Sequence, residues 1–235
     1  MGINEKILKL YDSKLSSLNE LFKNLLNSSI EADKDFSWPL MLRIWEKEYE
    51  SAPVKLMVFG QETYGWKNQI ESAIEKNTAE TLSEEYVLFD MGHNYRSTPF
   101  WETVHRLNKM VGNPDTNCFV WNNILKFGKD DTKGAPSAGV LKAELEYFNV
   151  IPDEIRILNP DLCIFLTGPD YDRHILNKFP DVEFIPIEGY ETRKFARIKS
   201  QYLPENSFRT YHPGYGYRKH EWYQGVLDKI VELSK

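Results

Sequence analysis

The chain has 235 residues, of which 41% are hydrophobic and 27% charged, and its formal net charge is -6. This length supports one large domain with a full core, and the composition is ordinary for a globular protein. The acidic balance argues against tight, nonspecific nucleic-acid binding by the whole surface. No apolar stretch is long enough to cross a bilayer, and the first residues lack the apolar core of a signal peptide. We therefore expect a cytoplasmic protein with no membrane partner.

The N-terminal region is predicted to be helical. Apolar residues recur at helical spacing over residues 3–28, which predicts one or two amphipathic helices. Another helix is predicted over residues 38–45, because Pro39 suits a first helical turn. We expect residues 1–52 to form a helical extension packed on a main domain of residues 53–235.

The main domain alternates strands with helices. Short apolar runs bounded by turn residues predict strands at 54–59, 118–121, 162–166, 182–187, 195–198 and 207–211. Helical spacing predicts helices at 99–110, 139–149, 153–158, 171–178 and 219–233, the first capped by Ser97 or Thr98. Residues 127–139 are rich in Gly, Lys, Asp and Pro and predict a loop. The alternation predicts an α/β fold, a three-layer α/β/α sandwich around a central, mainly parallel sheet.

Cys118 and Cys163 both lie in apolar, strand-like runs and are expected to be buried, reduced thiols. Two cysteines alone cannot make a four-cysteine zinc or iron–sulfur site. The remaining histidines, namely His93, His105, His174 and His220, show no metal-ligand spacing. We expect no metal and no cofactor, and a monomeric protein.

Polar and aromatic residues follow several of the predicted strands. Gly60-Gln61-Glu62-Thr63-Tyr64 follows the first, Asn122-Asn123 the second, Gly168-Pro169 the third and His212-Pro213 the last. In open α/β sheets, ligands bind at the carboxyl ends of the strands. We therefore expect one small polar pocket, lined by Gln61, Glu62, Tyr64, Asn122 and His212.

The order and content of these motifs resemble the uracil-DNA glycosylase superfamily. Gly60, Gln61 and Tyr64 match its first motif, with Glu62 where Asp is usual, Thr63 in place of Pro and Gly65 in place of His. Asn122 stands at the position that reads the base. His212-Pro213 matches the start of the last motif, whose usual Ser-Pro-Leu is replaced by Gly214-Tyr215-Gly216. The resemblance covers roughly residues 54–233 and implies the fold of that superfamily.

The resemblance also implies roles. Glu62 would stabilise an oxocarbenium-like sugar or orient the attacking water, and His212 would donate to the departing base. Gln61 would help to bind the base, Asn122 would pair with its edge, and Tyr64 would pack at C5. Each residue also has a structural alternative. Glu62 would cap a helix, His212 would be a hydrogen-bonded turn residue, Asn122 would close a strand turn and Tyr64 would pack in the core.

Positive charge is concentrated near the last motif. Residues 193–220 hold seven Lys or Arg and one acid, a segment charge of +6 that leaves -12 for the rest of the chain. This asymmetry predicts phosphate contacts by Arg193, Lys194, Arg197, Lys199 and Arg218, with Tyr215 and Tyr217 stacking on bases. The alternative is an ordinary solvated face.

Three functions remain open at this point. The first is a DNA glycosylase that removes uracil or a related deaminated base from single-stranded DNA or from a flipped-out position. The second is a protein of the same fold that hydrolyses or binds a free nucleobase compound. The third is a homologue without catalytic activity. The basic segment favours the first, whereas the net acidity and Gly65 favour the others.

Overall fold

The computed structural model describes residues 1–66, 78–93, 97–114, 117–130, 132–215 and 220–235. The described helices are α1 (Ile3–Asp12), α2 (Leu15–Leu26), α3 (Glu46–Glu50), α4 (Ala79–Phe89), α5 (Pro99–Met110), α6 (Ala138–Tyr147), α7 (Ile151–Leu158), α8 (Asp172–Lys178) and α9 (His220–Leu233). The described strands are β1 (Leu56–Gly60), β2 (Phe119–Asn123), β3 (Leu162–Phe165), β4 (Glu183–Pro186), β5 (Phe195–Lys199) and β6 (Asn206–Thr210). No described helix is long and apolar enough to span a membrane.

The chain divides into two compact units. The first comprises residues 1–43, 61–88 and 123–157, and the second comprises residues 44–60, 89–122 and 158–235. Each unit therefore draws on three separate stretches of the sequence. The boundary predicted at residue 52 stays a prediction.

The second unit carries the sheet, apart from Asn123. Within the described residues, six strands lie in the order β2-β1-β3-β6-β5-β4. Strand β3 is parallel to both β1 and β6, whereas β5 is antiparallel to β6 and β4 is antiparallel to β5. The sheet is mostly parallel and flanked by helices, which confirms the α/β class. The runs 54–59, 118–121 and 162–166 belong to neighbouring strands, as predicted.

An aromatic pair joins two neighbouring strands in the core of this sheet. Phe59 and Phe165 are register partners on β1 and β3, and their rings stack with centroids 4.3 Å apart. Cys118 and Cys163 are buried, reduced thiols, as predicted. Helix α5 begins as expected, because the Thr98 side chain accepts a hydrogen bond from the backbone N–H of Trp101.

The first unit contains α1 and α2, which confirms two helices in residues 3–28. The helix predicted over residues 38–45 is wrong. Backbone N–H groups of alternate residues there bond elsewhere: Trp38 to the carbonyl of Trp66, Leu40 to that of Lys126, and Leu42 to the Tyr11 hydroxyl. Residues 36–42 are all buried. Because these N–H groups bond to distant parts of the chain, they cannot form the i→i−4 bonds of a helix, and residues 38–45 belong to neither a helix nor a strand.

A buried polar network lies in the same unit. Lys126 and Glu154 form an ion pair at 2.7 Å, and neither side chain is exposed to solvent. Tyr11 donates to Glu154 at 2.5 Å and accepts from the backbone N–H of Leu42. Burial and the adjacent Glu154 raise the pKa of Tyr11, which keeps its hydroxyl protonated as a donor. The carboxylate of Glu144 accepts the backbone N–H of Lys126 at 3.1 Å. These bonds fix the chain after β2.

Candidate functional site

The first motif loop, residues 61–66, belongs to the first unit. Its first carbonyl accepts the backbone N–H of Leu125 at 3.0 Å, and its last carbonyl accepts that of Trp38 at 3.1 Å. Between them, the amide of Gly65 donates to the carbonyl of Lys129 at 3.2 Å. Hydrogen bonds thus hold the loop along its length, and they fix the backbone positions from which its side chains extend.

Thr63 anchors the middle of this loop. It is 5% exposed, and its hydroxyl lies 3.3 Å from that of Ser37. Ser37 in turn exchanges two hydrogen bonds with Gly128, through its backbone N–H and its hydroxyl. A Cβ at Gly128 would lie 1.8 Å from the Thr63 carbonyl oxygen, so only glycine allows this approach. Thr63 therefore holds this loop in place structurally.

The neighbours of Thr63 are more accessible. Gln61 and Glu62 are half-buried, and Tyr64 is 60% exposed. That exposure excludes the alternative of a core-packing Tyr64. The sequence predicts a helix and an irregular stretch over residues 65–96, and residues 67–77, where Glu62 would act as a cap, lie outside the described part of the chain.

Asn122 lies one residue before the end of β2, in the second unit, and has no exposed surface. An amide buried to this degree reaches a ligand only after a neighbouring group moves aside. The expectation that the five predicted residues share one pocket stays a prediction.

In the second unit, the ends of β3 and β6 meet as the sequence indicates. The amide of Gly168 donates to the carbonyl of Thr210 at 2.9 Å. A Cβ at Gly168 would lie 3.8 Å from the Tyr211 ring and 3.9 Å from the backbone nitrogen of His212. Gly168 has φ +77°, a left-handed conformation that favours glycine. The structure therefore brings the Gly168-Pro169 and His212-Pro213 motifs together.

His212 occupies a tight turn that defines its ring chemistry. Its carbonyl accepts the backbone N–H of Tyr215 at 2.9 Å. Its Nδ1 accepts the backbone N–H of Gly214 at 3.1 Å, so Nδ1 carries no proton and Nε2 carries it. A Cβ at Gly214 would crowd that ring, at 3.2 Å from Nδ1. His212 is thus both a turn residue and an oriented hydrogen-bond donor.

The surroundings of His212 keep it neutral. The Phe100 ring, at the start of α5, stacks on the imidazole with centroids 5.5 Å apart and planes 11° apart. Burial lowers the pKa of His212 from 6.5 to about 4. At neutral pH the site therefore offers an uncharged N–H donor. No sequence signal had singled out Phe100, because its spacing was already explained by an apolar helix face.

Two tyrosines continue the turn. The rings of Tyr211 and Tyr215 stack with centroids 5.0 Å apart, and the buried hydroxyl of Tyr223 donates to the Tyr211 carbonyl at 2.8 Å. Tyr215 is 43% exposed, so part of its ring is open to a ligand. Tyr217 and Arg218, also predicted to contact nucleic acid, lie outside the described residues.

The predicted phosphate contacts are partly engaged with acids of the same unit. Arg193 pairs with Asp170 at 3.1 Å, and Lys194 pairs with Glu191. These pairs are at the surface, where each contributes little to stability, and a phosphate would compete with the carboxylates.

The other two predicted cations lie on β5. Arg197 donates to the Glu205 carbonyl at 3.0 Å and lies over the Phe208 ring at 4.8 Å. Lys199 is exposed and stands opposite Glu183 on the neighbouring strand.

Arg209 also contributes to the basic segment but is only 1% exposed. It forms an ion pair with Asp172, in which Nη2 donates to Oδ2 at 3.0 Å and Nε lies 2.9 Å from Oδ1, and it also donates to the carbonyls of Thr192 and Arg193. Burial raises the pKa of Asp172 to about 6, against the opposing effect of Arg209. The segment therefore presents less positive charge than its sequence indicates.

Among the described residues, no group of three or more His, Cys, Asp or Glu side chains is placed to hold a metal ion. A scan of protein families and a search of curated proteins found no match to the chain. The sequence motifs and the geometry around His212 are therefore the features that indicate a function.

Proposed function

We propose that the protein is an N-glycosylase that hydrolyses the bond between a sugar and uracil or a related deaminated base in DNA. The observation that carries the proposal is the state of His212. It is a neutral imidazole with Nδ1 occupied by Gly214 and with its proton on Nε2. It stands just beyond the carboxyl end of β6, where α/β sheets bind ligands.

The chemistry of base excision calls for such a donor. As the glycosidic bond breaks, the sugar gains positive charge and the base oxygen gains negative charge. A donor already oriented toward that oxygen stabilises the transition state without reorganising. The turn hydrogen bond and the stacked Phe100 ring both restrict the His212 imidazole, so its orientation is set before a substrate arrives.

The resemblance supplies the remaining roles in the proposal. Glu62 stabilises the oxocarbenium-like sugar or its attacking water, and Gln61 and Asn122 bind the base. Tyr64 excludes a methyl group at C5. Glu62 is one methylene longer than the usual Asp, and an error near 1 Å in position can cost about a hundredfold in rate.

The test is an excision assay on single-stranded and duplex oligonucleotides that carry uracil, hypoxanthine or xanthine, with detection of abasic sites. We expect wild-type protein to release at least one of these bases and His212→Ala to lose the activity. His174→Ala is the matched control, since His174 is a buried histidine of the same unit on α8. No excision by the wild type, or equal loss in both variants, would contradict the proposal.

A second candidate is hydrolysis of a free nucleoside or nucleotide. The pairing of Arg193, Lys194 and Arg209 with acids favours it, because fewer cations are free to bind a strand. Incubation with deoxyuridine, deoxyinosine and their monophosphates, followed by chromatography of the released base, separates the two functions. Release from free nucleosides without release from oligonucleotides would select the second candidate. Release from neither would select the inactive homologue.

A further inference from the structure

A left-handed turn packs against the helix that carries Phe100. Asp90, Met91 and Gly92 have φ of 48°, 49° and 80°, a conformation that non-glycine residues rarely adopt. Met91 is nevertheless buried, at 1% exposure. Such a turn persists only where its surroundings hold it in place.

Helix α5 stabilises the turn through Trp101 and His105, which lie one helical turn apart. His105 Nε2 lies 3.2 Å from the Met91 carbonyl and donates to it. The indole of Trp101 lies directly against Gly92, where an added Cβ would come within 2.8 Å of it. The turn is thus bonded to His105 and packed on Trp101.

Trp101 connects this turn to His212. Its ring packs edge-on against the preceding Phe100, with centroids 5.2 Å apart, and Phe100 stacks on His212. Trp101 also contacts Phe89, the residue just before the turn, with centroids 5.2 Å apart. The ring that covers His212 is therefore backed by a residue whose own position depends on the turn.

We propose that His105 is a positioning residue for His212. Its hydrogen bond to Met91 holds the left-handed turn, the turn fixes Trp101, and Trp101 keeps Phe100 over the imidazole. The value of this arrangement for catalysis rests on the proposed function, but the arrangement itself is tested without activity.

The surroundings of His105 suit a neutral donor. Its ring stacks on His93 with centroids 4.7 Å apart, and Lys109 lies one turn along α5. Burial lowers the pKa of His105, and His93 and Lys109 lower it further. Within the described part of the chain, nothing accepts a hydrogen bond from Nδ1, so a second proton there would be unsatisfied.

The test follows the titration of His212 by NMR, in protein labelled with ¹³C at histidine Cε1. If the arrangement holds, His105→Leu uncovers the imidazole and raises the His212 pKa by about one unit or more, toward its ordinary value. His105→Gln, whose amide can donate to Met91, should keep the value near that of the wild type. His174→Leu controls for general loosening of the same unit.

A second variant covers the case in which His105→Leu does not fold. Gly92→Ala pushes a methyl group into Trp101 and strains the turn, so it should raise the His212 pKa in the same direction. An unchanged His212 titration in either folded variant overturns the proposal, as does an equal shift in His174→Leu. So does a wild-type His212 that titrates near its ordinary value. A negative titration result would not contradict the proposed glycosylase function. A negative excision assay would not contradict the positioning role of His105.

Discussion

The backbone N–H of Gly214 donates to Nδ1 of His212 at 3.1 Å and thereby decides which ring nitrogen carries the proton. The bond spans two residues of a single turn, yet it fixes the tautomer of His212, and burial keeps the ring neutral. The Phe100 ring, from a distant part of the chain, stacks on one face of the imidazole, which is half-buried.

His212→Ala should reduce base excision by on the order of 10²–10³, the usual effect of removing one preorganised donor. His212→Gln should retain part of the activity, because its amide nitrogen can take the place of Nε2. Single-turnover rates on a uracil oligonucleotide measure both. Equal activity of His212→Ala and wild type would exclude the donor role.

The free energy of unfolding should decrease as the pH is lowered below the ordinary histidine range. The folded pKa of His212 is about 4, against 6.5 when unfolded, so between these values the unfolded chain binds the extra proton. The contribution is fully present above pH 6.5 and is lost as the pH falls to about 4, at most about 3 kcal/mol. Urea unfolding at several pH values measures it. In His212→Gln this part of the pH dependence should disappear, and its persistence there would assign the effect to other groups.

Lys126→Met should destabilise the protein by about 3–5 kcal/mol, because it leaves Glu154 charged and buried without its partner. Lys126→Met combined with Glu154→Leu should recover much of that loss, since neither charge of the pair is then buried. Tyr11→Phe should cost about 1–3 kcal/mol, because it leaves the Leu42 N–H and Glu154 without the hydroxyl. Denaturant midpoints for the four proteins test this. A double variant as unstable as Lys126→Met would mean that packing dominates.

Glu62→Gln should lower excision by about 10²–10³ while leaving the fold intact. Asn122→Asp should lower uracil excision or change the accepted base, because the amide donor is lost. Tyr64→Ala should admit thymine, and its exposed ring makes that change structurally mild. Rates on uracil, hypoxanthine and thymine oligonucleotides, with circular dichroism to monitor folding, measure all three. Unchanged rates and preferences would remove these residues from the site.

Binding of single-stranded DNA should weaken with salt, with a slope of about 0.7 for each phosphate contact. Replacing Arg193, Arg197 and Lys199 together by Ala should lower both the affinity and the slope. The Asp170 carboxylate already pairs with Arg193, so Asp170→Ala should strengthen binding. Fluorescence anisotropy across a salt series measures these effects. If the triple variant binds single-stranded DNA as tightly as the wild type, this segment does not contact DNA.

Local sequence signals determined most of the elements. Helix α5 was predictable because Thr98 caps it and Pro99 begins it, and both effects act within one turn. Strands β1, β2 and β3 were predictable because each is a short apolar run between turn residues. The same reasoning placed Gly168 and His212 at strand ends, where the parallel pairing of β3 and β6 brings them together.

Tertiary structure alone decided the rest. Pro39 predicts a helix over residues 38–45, yet none forms there because the backbone N–H groups of Trp38, Leu40 and Leu42 find partners at Trp66, Lys126 and Tyr11. Arg209 counted toward a basic surface, but Asp172 and two carbonyls draw it into the interior. The environment of the His212 imidazole likewise depends on Phe100, which comes from a distant part of the chain. The sequence determined that a histidine would end β6, but its pKa depends on burial, and burial exists only once distant segments have packed.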